Sequence, residues 1–276
     1  MADVSAKDVA ALRKATGAGM MDCKNALAES GGNVEDAKEW LRKKGLAGVA
    51  KRAGRSADQG AVDVAVDNGV GALVELNCET DFVAKGDDFT SALGELVELV
   101  ITSGADSTEA LAGQKFGDGT VADEVTNLNA KLGENISLGR VARFESSTNI
   151  IDAYKHIQAD RGVIGVLVEL AGGNRDVAHD IALHIASAAP RYLSRDDVPA
   201  DAIEKERAVL TELTLNEGKP EAAVEKIVEG RLNGFFKDQC LLEQGYVKDP
   251  KVSITKLLED AGAQVVRFVR VKVGED

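Results

Sequence analysis

The first 45 residues follow a helical period, with apolar side chains recurring at intervals of three and four. The turn sequences Thr16-Gly17-Ala18-Gly19 and Ser30-Gly31-Gly32-Asn33 divide this segment into three short patterns, and Gly45 is typical of a helix end. A basic linker is predicted from Arg42-Lys43-Lys44 and then Lys51, Arg52 and Arg55, and it is interpreted as a solvated helix or as a local contact for an acidic partner surface. Residues 1–52 are therefore predicted to form a compact three-helix module with a basic linker.

From Gly60 onward the period changes to two, which is typical of strands. Val62–Val66 alternates, Asn68-Gly69 is a strong signal for a two-residue hairpin turn, and Ala72–Leu76 resumes the alternation. A further strand is predicted over Ser137–Phe144. Between them lie two helical patterns whose apolar positions are Phe89, Leu93, Leu96, Val97 and Val100, then Val121, Val125, Leu128 and Leu132.

An internal repeat sets the architecture. Gly71–Leu76 recurs as Gly165–Leu170 at a spacing of 94, with a strand before it and a helix after it. The closing strand also recurs, Arg143-Phe144 against Arg267-Phe268, but at a spacing of 124. The second copy therefore holds about 30 additional residues between its helix and its last strand.

Those additional residues are typical of a helical hairpin over about 200–240, turning at Asn216–Pro220. Two seams are predicted: Ile203, Leu210 and Leu213 in the first helix, and Val224, Ile227, Val228, Leu232 and Phe235 in the second. The chain is thus predicted to be α+β. Two related subdomains of antiparallel sheet and helices, 56–146 and 147–276, follow the module, and the second contains the hairpin.

Composition narrows the class of partner. The net charge of −13 repels nucleic acid and anionic membranes. No apolar run approaches the ~20 residues of a membrane span, and the start at Met1 resembles no targeting peptide. The three cysteines are far apart in the sequence and do not suggest a disulfide framework, so a reducing compartment is expected. A cytoplasmic chain that begins here and binds another protein is expected.

Sequence signals for catalysis are weak. His184 shares the apolar stripe of Ile181 and Ile185, which favours a hydrogen-bonded core histidine over a metal ligand. Asp87-Asp88 is interpreted as a pair of turn or cap carboxylates rather than an acid and base. The sequence contains no phosphate-binding glycine loop and no nucleophile motif. No cofactor, no metal and no covalent chemistry are expected.

One stretch, Asn77–Lys85, places an aromatic beside a carboxylate where a strand pattern gives way to a helix. Thr80 suits an N-cap and Asp81 the first turn, so Phe82 falls at a helix start. Phe82 has two interpretations: a core residue, or an exposed anchor for a partner's pocket. The second copy has no aromatic at the matching place, Gly172–Asp176, which favours the anchor.

Several motifs together resemble elongation factor Ts of bacteria, over essentially the whole chain. They are Thr16-Gly17-Ala18-Gly19-Met20-Met21-Asp22-Cys23-Lys24, Asn77-Cys78-Glu79-Thr80-Asp81-Phe82-Val83-Ala84, Gly133-Glu134-Asn135-Ile136 and Val228-Glu229-Gly230-Arg231. The resemblance implies an amino-terminal module similar to ubiquitin-associated (UBA) domains and a coiled coil inserted in the second core subdomain. It also implies guanine-nucleotide exchange on elongation factor Tu, in its GDP-bound and nucleotide-free forms.

The resemblance implies three groups of partner-binding residues. Asp81 and Phe82, flanked by Thr80 and Val83, would engage the partner's GTPase domain, with Phe82 wedging beside its magnesium site. Arg13, Met20 and Met21 would contact the same domain from the amino-terminal module, although the pattern alone equally allows both methionines to be core. His156, Tyr246 and Val247 would contact a distal domain. The alternatives to an exchange factor are a protein-binding adaptor and, with little to support it, a small-molecule enzyme.

Overall fold

A computed structural model describes residues 4–16 and 18–275 of the chain. Gly17 of the first predicted turn, the first three residues of the predicted module and Asp276 lie outside the described residues. Within them the chain combines helices with antiparallel sheet, and this confirms the predicted α+β class.

Three helices begin the described chain, α1 (Ala6–Thr16), α2 (Met20–Glu29) and α3 (Val34–Arg52). The Asn33 side chain caps α3 by accepting hydrogen bonds from the N–H groups of Glu35 and Asp36. The helices confirm the three predicted helical patterns. They enclose a small core of Val9, Leu12, Cys23, Ala26, Leu27, Ala37 and Leu41.

The predicted helix end at Gly45 is wrong, because α3 continues through it to Arg52. Gly45 faces Ala130, whose Cβ would lie only 2.8 Å from a Cβ added at the glycine. Farther along, Arg52 Nη2 donates to the Asn129 carbonyl at 2.9 Å. The missing side chain thus allows α3 to pack against a later helix, and the first part of the predicted linker is a docked helix.

The first sheet carries the stretch of interest. The elements from residue 59 to 145 are, in order, β1 (Gln59–Asp67), β2 (Val70–Cys78), α4 (Asp81–Ala84), α5 (Asp87–Ser103), α6 (Thr108–Ala112), β3 (Lys115–Phe116), β4 (Gly119–Thr120), α7 (Val121–Leu132) and β5 (Ser137–Glu145). Strands β1, β2 and β5 form one antiparallel sheet in that order. Asn68 and Gly69 adopt φ angles of 46° and 79°, the left-handed pair that the predicted two-residue turn needs.

The second half repeats this arrangement. Its elements are β6 (Ile150–Gln158), β7 (Arg161–Gly172), α8 (Arg175–Ala188), α9 (Ala200–Asn216), α10 (Glu221–Gln239), β8 (Gly245–Tyr246), β9 (Asp249–Ser253), α11 (Ile254–Ala261) and β10 (Ala263–Lys272). The sheet order is β10-β7-β6, all antiparallel. Strands β6, β7 and β10 therefore correspond to β1, β2 and β5. A two-stranded ribbon and a helix precede the last strand in both copies.

Helices α9 and α10 form the predicted hairpin. Buried Val224, Val228 and Leu232 of α10 pack against Ile203 and Leu210 of α9.

The prediction that Leu213 lies in the hairpin seam is wrong, since its side chain is exposed. Thr214 is buried there instead, and its hydroxyl donates to the Leu210 carbonyl at 2.6 Å and accepts from Arg231 Nη1 at 3.2 Å. The seam continues four residues after Leu210 rather than three, and a polar residue holds that position.

The two sheets pack against each other through one face. Their shared core contains Val62, Leu73, Phe144, Ile151, Leu167 and Val271. The opposite face of each sheet is covered by its own helices, α5 and α7 on the first and α8 and α11 on the second. The stretch around Phe82 lies at the end of β2, the central strand of the first sheet.

Candidate functional site

The short helix α4 is fixed at its first residue by a clamp from the α7–β5 loop. Thr80 is extended and its hydroxyl accepts from the Val83 N–H, which is the predicted N-cap. The same hydroxyl donates to Glu134 Oε1 at 2.6 Å, and the Thr80 N–H donates to Glu134 Oε2 at 3.0 Å. Both carboxylate oxygens of Glu134 are therefore used to position the start of α4.

Glu79 joins the same loop to the segment that follows α3. Its carboxylate accepts the Asn135 N–H at 2.7 Å and lies 3.4 Å from Arg55 Nη1. The Asn135 side chain in turn donates to the Arg55 carbonyl at 2.7 Å. Sequence reasoning missed this role of Glu134 and Asn135. The signal was present, because Gly133–Ile136 is one of the motifs behind the family resemblance.

The orientation of α4 exposes Phe82 and buries its neighbours. The Phe82 side chain is 85% exposed, whereas Ala84 is buried and Val83 packs against the core of the first sheet. The next aromatic, Phe89 in α5, is fully buried. The core interpretation therefore fits Phe89 and not Phe82, which points its ring into solvent from a helix held on the other side.

Asp81 stays ionised beside this ring. Lys85 Nζ donates to Asp81 Oδ2 at 2.6 Å, four residues along the chain. That hydrogen bond is the main reason why the pKa of Asp81 lies below its ordinary value. An apolar ring and a negative charge thus stand side by side on one turn of helix.

The predicted amino-terminal residues line a groove between α1 and α2. Met20 and Met21 are 59% and 62% exposed, so the structure favours the contact-face interpretation over the core one. With Arg13 they border a groove of about 720 Å³. Its other lining residues are Val4, Ala6, Val9, Ala10, Lys14 and Lys24. An apolar floor with a basic rim suits an amphipathic, acidic surface.

Of the predicted distal residues, His156 lies on β6 of the second sheet, whereas Tyr246 and Val247 lie in the separate β8–β9 ribbon. His156 is exposed on β6 and stacks on Tyr154, with ring centroids 6.4 Å apart, and Tyr154 meets His179 of α8 edge-on at 6.0 Å. Tyr246 is buried and Val247 half-buried. Tyr246 packs in the core of the second sheet and its helices, so of these three residues only His156 presents an exposed side chain.

His184 behaves as the predicted core histidine. It is fully buried, its Nδ1 accepts the Val247 N–H at 3.2 Å, and its Nε2 lies 2.9 Å from Gln244 Oε1. Because Nδ1 accepts, Nε2 carries the proton and donates to Gln244. Burial lowers the pKa of His184 and keeps the ring neutral.

Over residues 4–16 and 18–275, no cluster of three or more histidine, cysteine or acidic side chains is arranged to hold a metal ion. Within the same residues, no helix is both long and apolar enough to cross a membrane.

An exposed aromatic and a carboxylate on a turn that is held by other parts of the fold are typical of a protein that acts through a contact surface. Comparison with known proteins shows the family. The family described as Elongation factor TS matches residues 79–275. Elongation factor Ts of Streptomyces coelicolor is 53% identical and that of Kineococcus radiotolerans 48%, each aligned to 99% of this chain and 100% of the relative. Elongation factor Ts of Mycobacterium avium is 48% identical over the full length of both.

The chain belongs to the elongation factor Ts family. This confirms the resemblance in the sequence and supports the predicted nucleotide-exchange role for elongation factor Tu.

Proposed function

We propose that this chain releases GDP from elongation factor Tu by inserting Phe82 beside the partner's magnesium site, with Asp81 guiding the approach. The single observation that carries the proposal is the exposed Phe82 ring on a turn fixed by Glu134. A ring with two χ angles loses little entropy on binding and transmits displacement well. Moving the magnesium site removes the largest charge that holds the phosphates of GDP.

Thermodynamic linkage gives the mechanism its scale. A protein that binds the nucleotide-free partner more tightly than the GDP form weakens GDP by the same factor. Tenfold weakening corresponds to about 1.4 kcal/mol of coupling, and thousandfold weakening to about 4 kcal/mol. Such coupling needs binding energy but no bond-making step, so this chain is proposed to act without covalent chemistry.

Other surfaces are proposed to supply binding energy. Arg13, Met20 and Met21 would contact the GTPase domain of the partner through their groove, and residues 1–52 would form the UBA-like module. His156 and the Tyr246-Val247 segment would contact a distal domain. The core would divide into subdomains 56–146 and 147–276, with the hairpin at about 200–240 as a coiled coil.

The proposed partner is elongation factor Tu in its GDP-bound and nucleotide-free forms, without direct nucleic acid or membrane contacts. The net charge of −13 supports that restriction, since both of those surfaces are anionic. The proposed location is the cytoplasm.

The test follows the release of fluorescent GDP from elongation factor Tu with catalytic amounts of this protein. Wild type should accelerate release, and Phe82→Ala should reduce the acceleration by roughly thirtyfold, the equivalent of losing about 2 kcal/mol at a hot-spot aromatic. Val266→Ala, which trims another exposed apolar side chain, should have no effect. No acceleration by wild type would favour the adaptor, and full activity of Phe82→Ala would refute the wedge.

A further inference from the structure

The second sheet touches the Phe82 region through the tip of its first hairpin. Strand β7 begins four residues before Gly165, whereas the corresponding β2 begins one residue before Gly71. The β6–β7 hairpin is therefore longer than its counterpart. Its turn is formed by Ala159 and Asp160, at φ angles of 51° and 62°.

Arg161 makes the contact. Its Nη1 donates to the Gly60 carbonyl at 2.5 Å and its Nη2 donates to Gln59 Oε1 at 2.7 Å. Its Nε is buried and has no hydrogen-bond partner among the described residues. The orientation of this guanidinium therefore depends on the two bonds to the start of β1.

The backbones at this junction approach closely. A Cβ at Gly162 would lie 2.1 Å from the Val62 carbonyl oxygen, so the hairpin rests directly on the β1 backbone. A Cβ at Gly60 would lie 2.3 Å from the Leu76 carbonyl oxygen, so β1 rests in the same way on β2. Contacts of this kind leave little room for the three strands to move independently.

The start of β1 lies beside the end of β2 that leads to Phe82. Gln59 pairs with Cys78 and Gly60 with Asn77, and the Cys78 thiol donates to the Thr80 carbonyl at 3.1 Å. The positive charge of Arg161 also reaches the site, where it adds a smaller contribution than Lys85 to the lowered pKa of Asp81. Arg161 thus fixes the start of β1, the strand that flanks the end of β2 on the side away from β5.

We propose that Arg161 is a positioning residue for nucleotide exchange, holding the Phe82 turn so that the ring meets the partner in a fixed direction. The same hairpin carries His156 five residues earlier, so it joins the proposed distal contact to the wedge. This inference rests on the proposed role of Phe82. It assigns to the second sheet a part in the action of the first.

A double-mutant cycle tests this inference in the full-length chain. The initial rate of fluorescent GDP release from elongation factor Tu is measured against factor concentration for wild type, Arg161→Gln, Phe82→Ala and the double variant. Arg161→Gln should lower the maximal rate roughly three- to tenfold, as misplacement of a positioned group does, and change the half-saturating concentration less than twofold. In the Phe82→Ala background the same substitution should change nothing, because there is no ring left to position.

Lys155→Gln is the matched control. It removes an ion pair between the two sheets, Lys155 with Asp63 at 2.6 Å, and leaves the Arg161 contacts to Gln59 and Gly60 in place, so it should leave the maximal rate unchanged. If Arg161→Gln does not fold, as judged by circular dichroism, Gln59→Ala removes one of the two bonds and should give a smaller loss of the same kind.

Two results would overturn the inference alone, with Phe82→Ala still impaired: a wild-type rate for Arg161→Gln, or an equal loss in both backgrounds. A fully active Phe82→Ala would refute the wedge and the inference with it.

Discussion

The packing between the two sheets depends on a pair of glycines that the repeat places in matching positions. A Cβ at Gly71 would lie 2.6 Å from Ile151 Cγ2, and a Cβ at Gly165 would lie 2.7 Å from Val62 Cγ2. Carbon atoms pack best about 3.5–4.0 Å apart, so each substitution requires a shift of about 1 Å. Both neighbours are β-branched and stiff at χ1, which leaves movement of the strands as the main way to relax.

We therefore expect Gly71→Ala and Gly165→Ala each to destabilise the protein by about 1–3 kcal/mol, the usual cost of overpacking a core. The transition temperature should fall by about 2–4 °C for each kcal/mol in a chain of this size. Thermal unfolding followed by circular dichroism, with urea titration at 25 °C, measures both quantities.

Gly94→Ala is the control for these substitutions. Gly94 lies inside α5 and no heavy atom of the described residues comes within 4 Å of an added Cβ, apart from the helix backbone and its chain neighbours. The alanine should stabilise α5 by roughly 0.5–1 kcal/mol, since glycine is unfavourable within a helix.

The cost of Gly71→Ala should also largely disappear in an Ile151→Ala background, where the clashing methyl group is absent. If Gly71→Ala and Gly165→Ala were as stable as wild type, the two sheets would not be packed as closely at these glycines as the structure shows.

Two further predictions concern buried titratable groups. Because burial lowers the pKa of His184 in the folded protein, the unfolded chain binds a proton more readily. The contribution of neutral His184 to the free energy of unfolding is therefore present above pH ~6.5 and is lost as the pH falls toward the pKa of the folded state. The loss of stability between pH 7.5 and 5.5, measured by urea unfolding, should be smaller for His184→Gln than for wild type. Burial raises the pKa of the Cys78 thiol to about 12 and that of Cys240 to about 11, and Cys23 is also buried. A thiol reagent at pH 8 should therefore react slowly with the native protein and should label all three cysteines once the protein is denatured. Rapid labelling of the native protein would contradict the buried placement.

Local patterns were sufficient where the structure depends on neighbouring residues. The alternation around Asn68-Gly69 predicted the first hairpin, and the repeat of Gly71–Leu76 predicted the second sheet. Its break in spacing before Arg267 predicted the position of the helical hairpin. In each case strand or helix period, turn residues and spacing along the chain carry the information.

Patterns failed where contacts between distant residues decide the structure. Gly45 was predicted to end a helix, but α3 continues past it to Arg52 and packs against Ala130 at this glycine. The Glu134 clamp on Thr80 spans 54 residues, and the Arg161 contact to Gln59 spans 102. No periodicity encodes such pairs, because they depend on the packing of the finished fold.

The two copies also differ in the length of the segment between the central strand and the helix that follows it. Strand β7 follows β2 at a spacing of 94 residues, but the buried face of α8 follows that of α5 at 88, with Ile181 in the place of Leu93 and Ile185 in that of Val97. The first copy therefore has six more residues between strand and helix, the length of Asp81–Gly86.

In the second copy the chain passes from Gly172 through a two-residue turn at Gly173 and Asn174 directly into α8, and that sheet and helix pack without any such segment. The architecture can omit this segment, yet Glu134 holds its start and Arg161 holds the neighbouring strand β1, and this supports the proposal that the segment serves a contact with a partner. That role fits Phe82, whose ring contributes least to its own core and is the best placed to enter a partner.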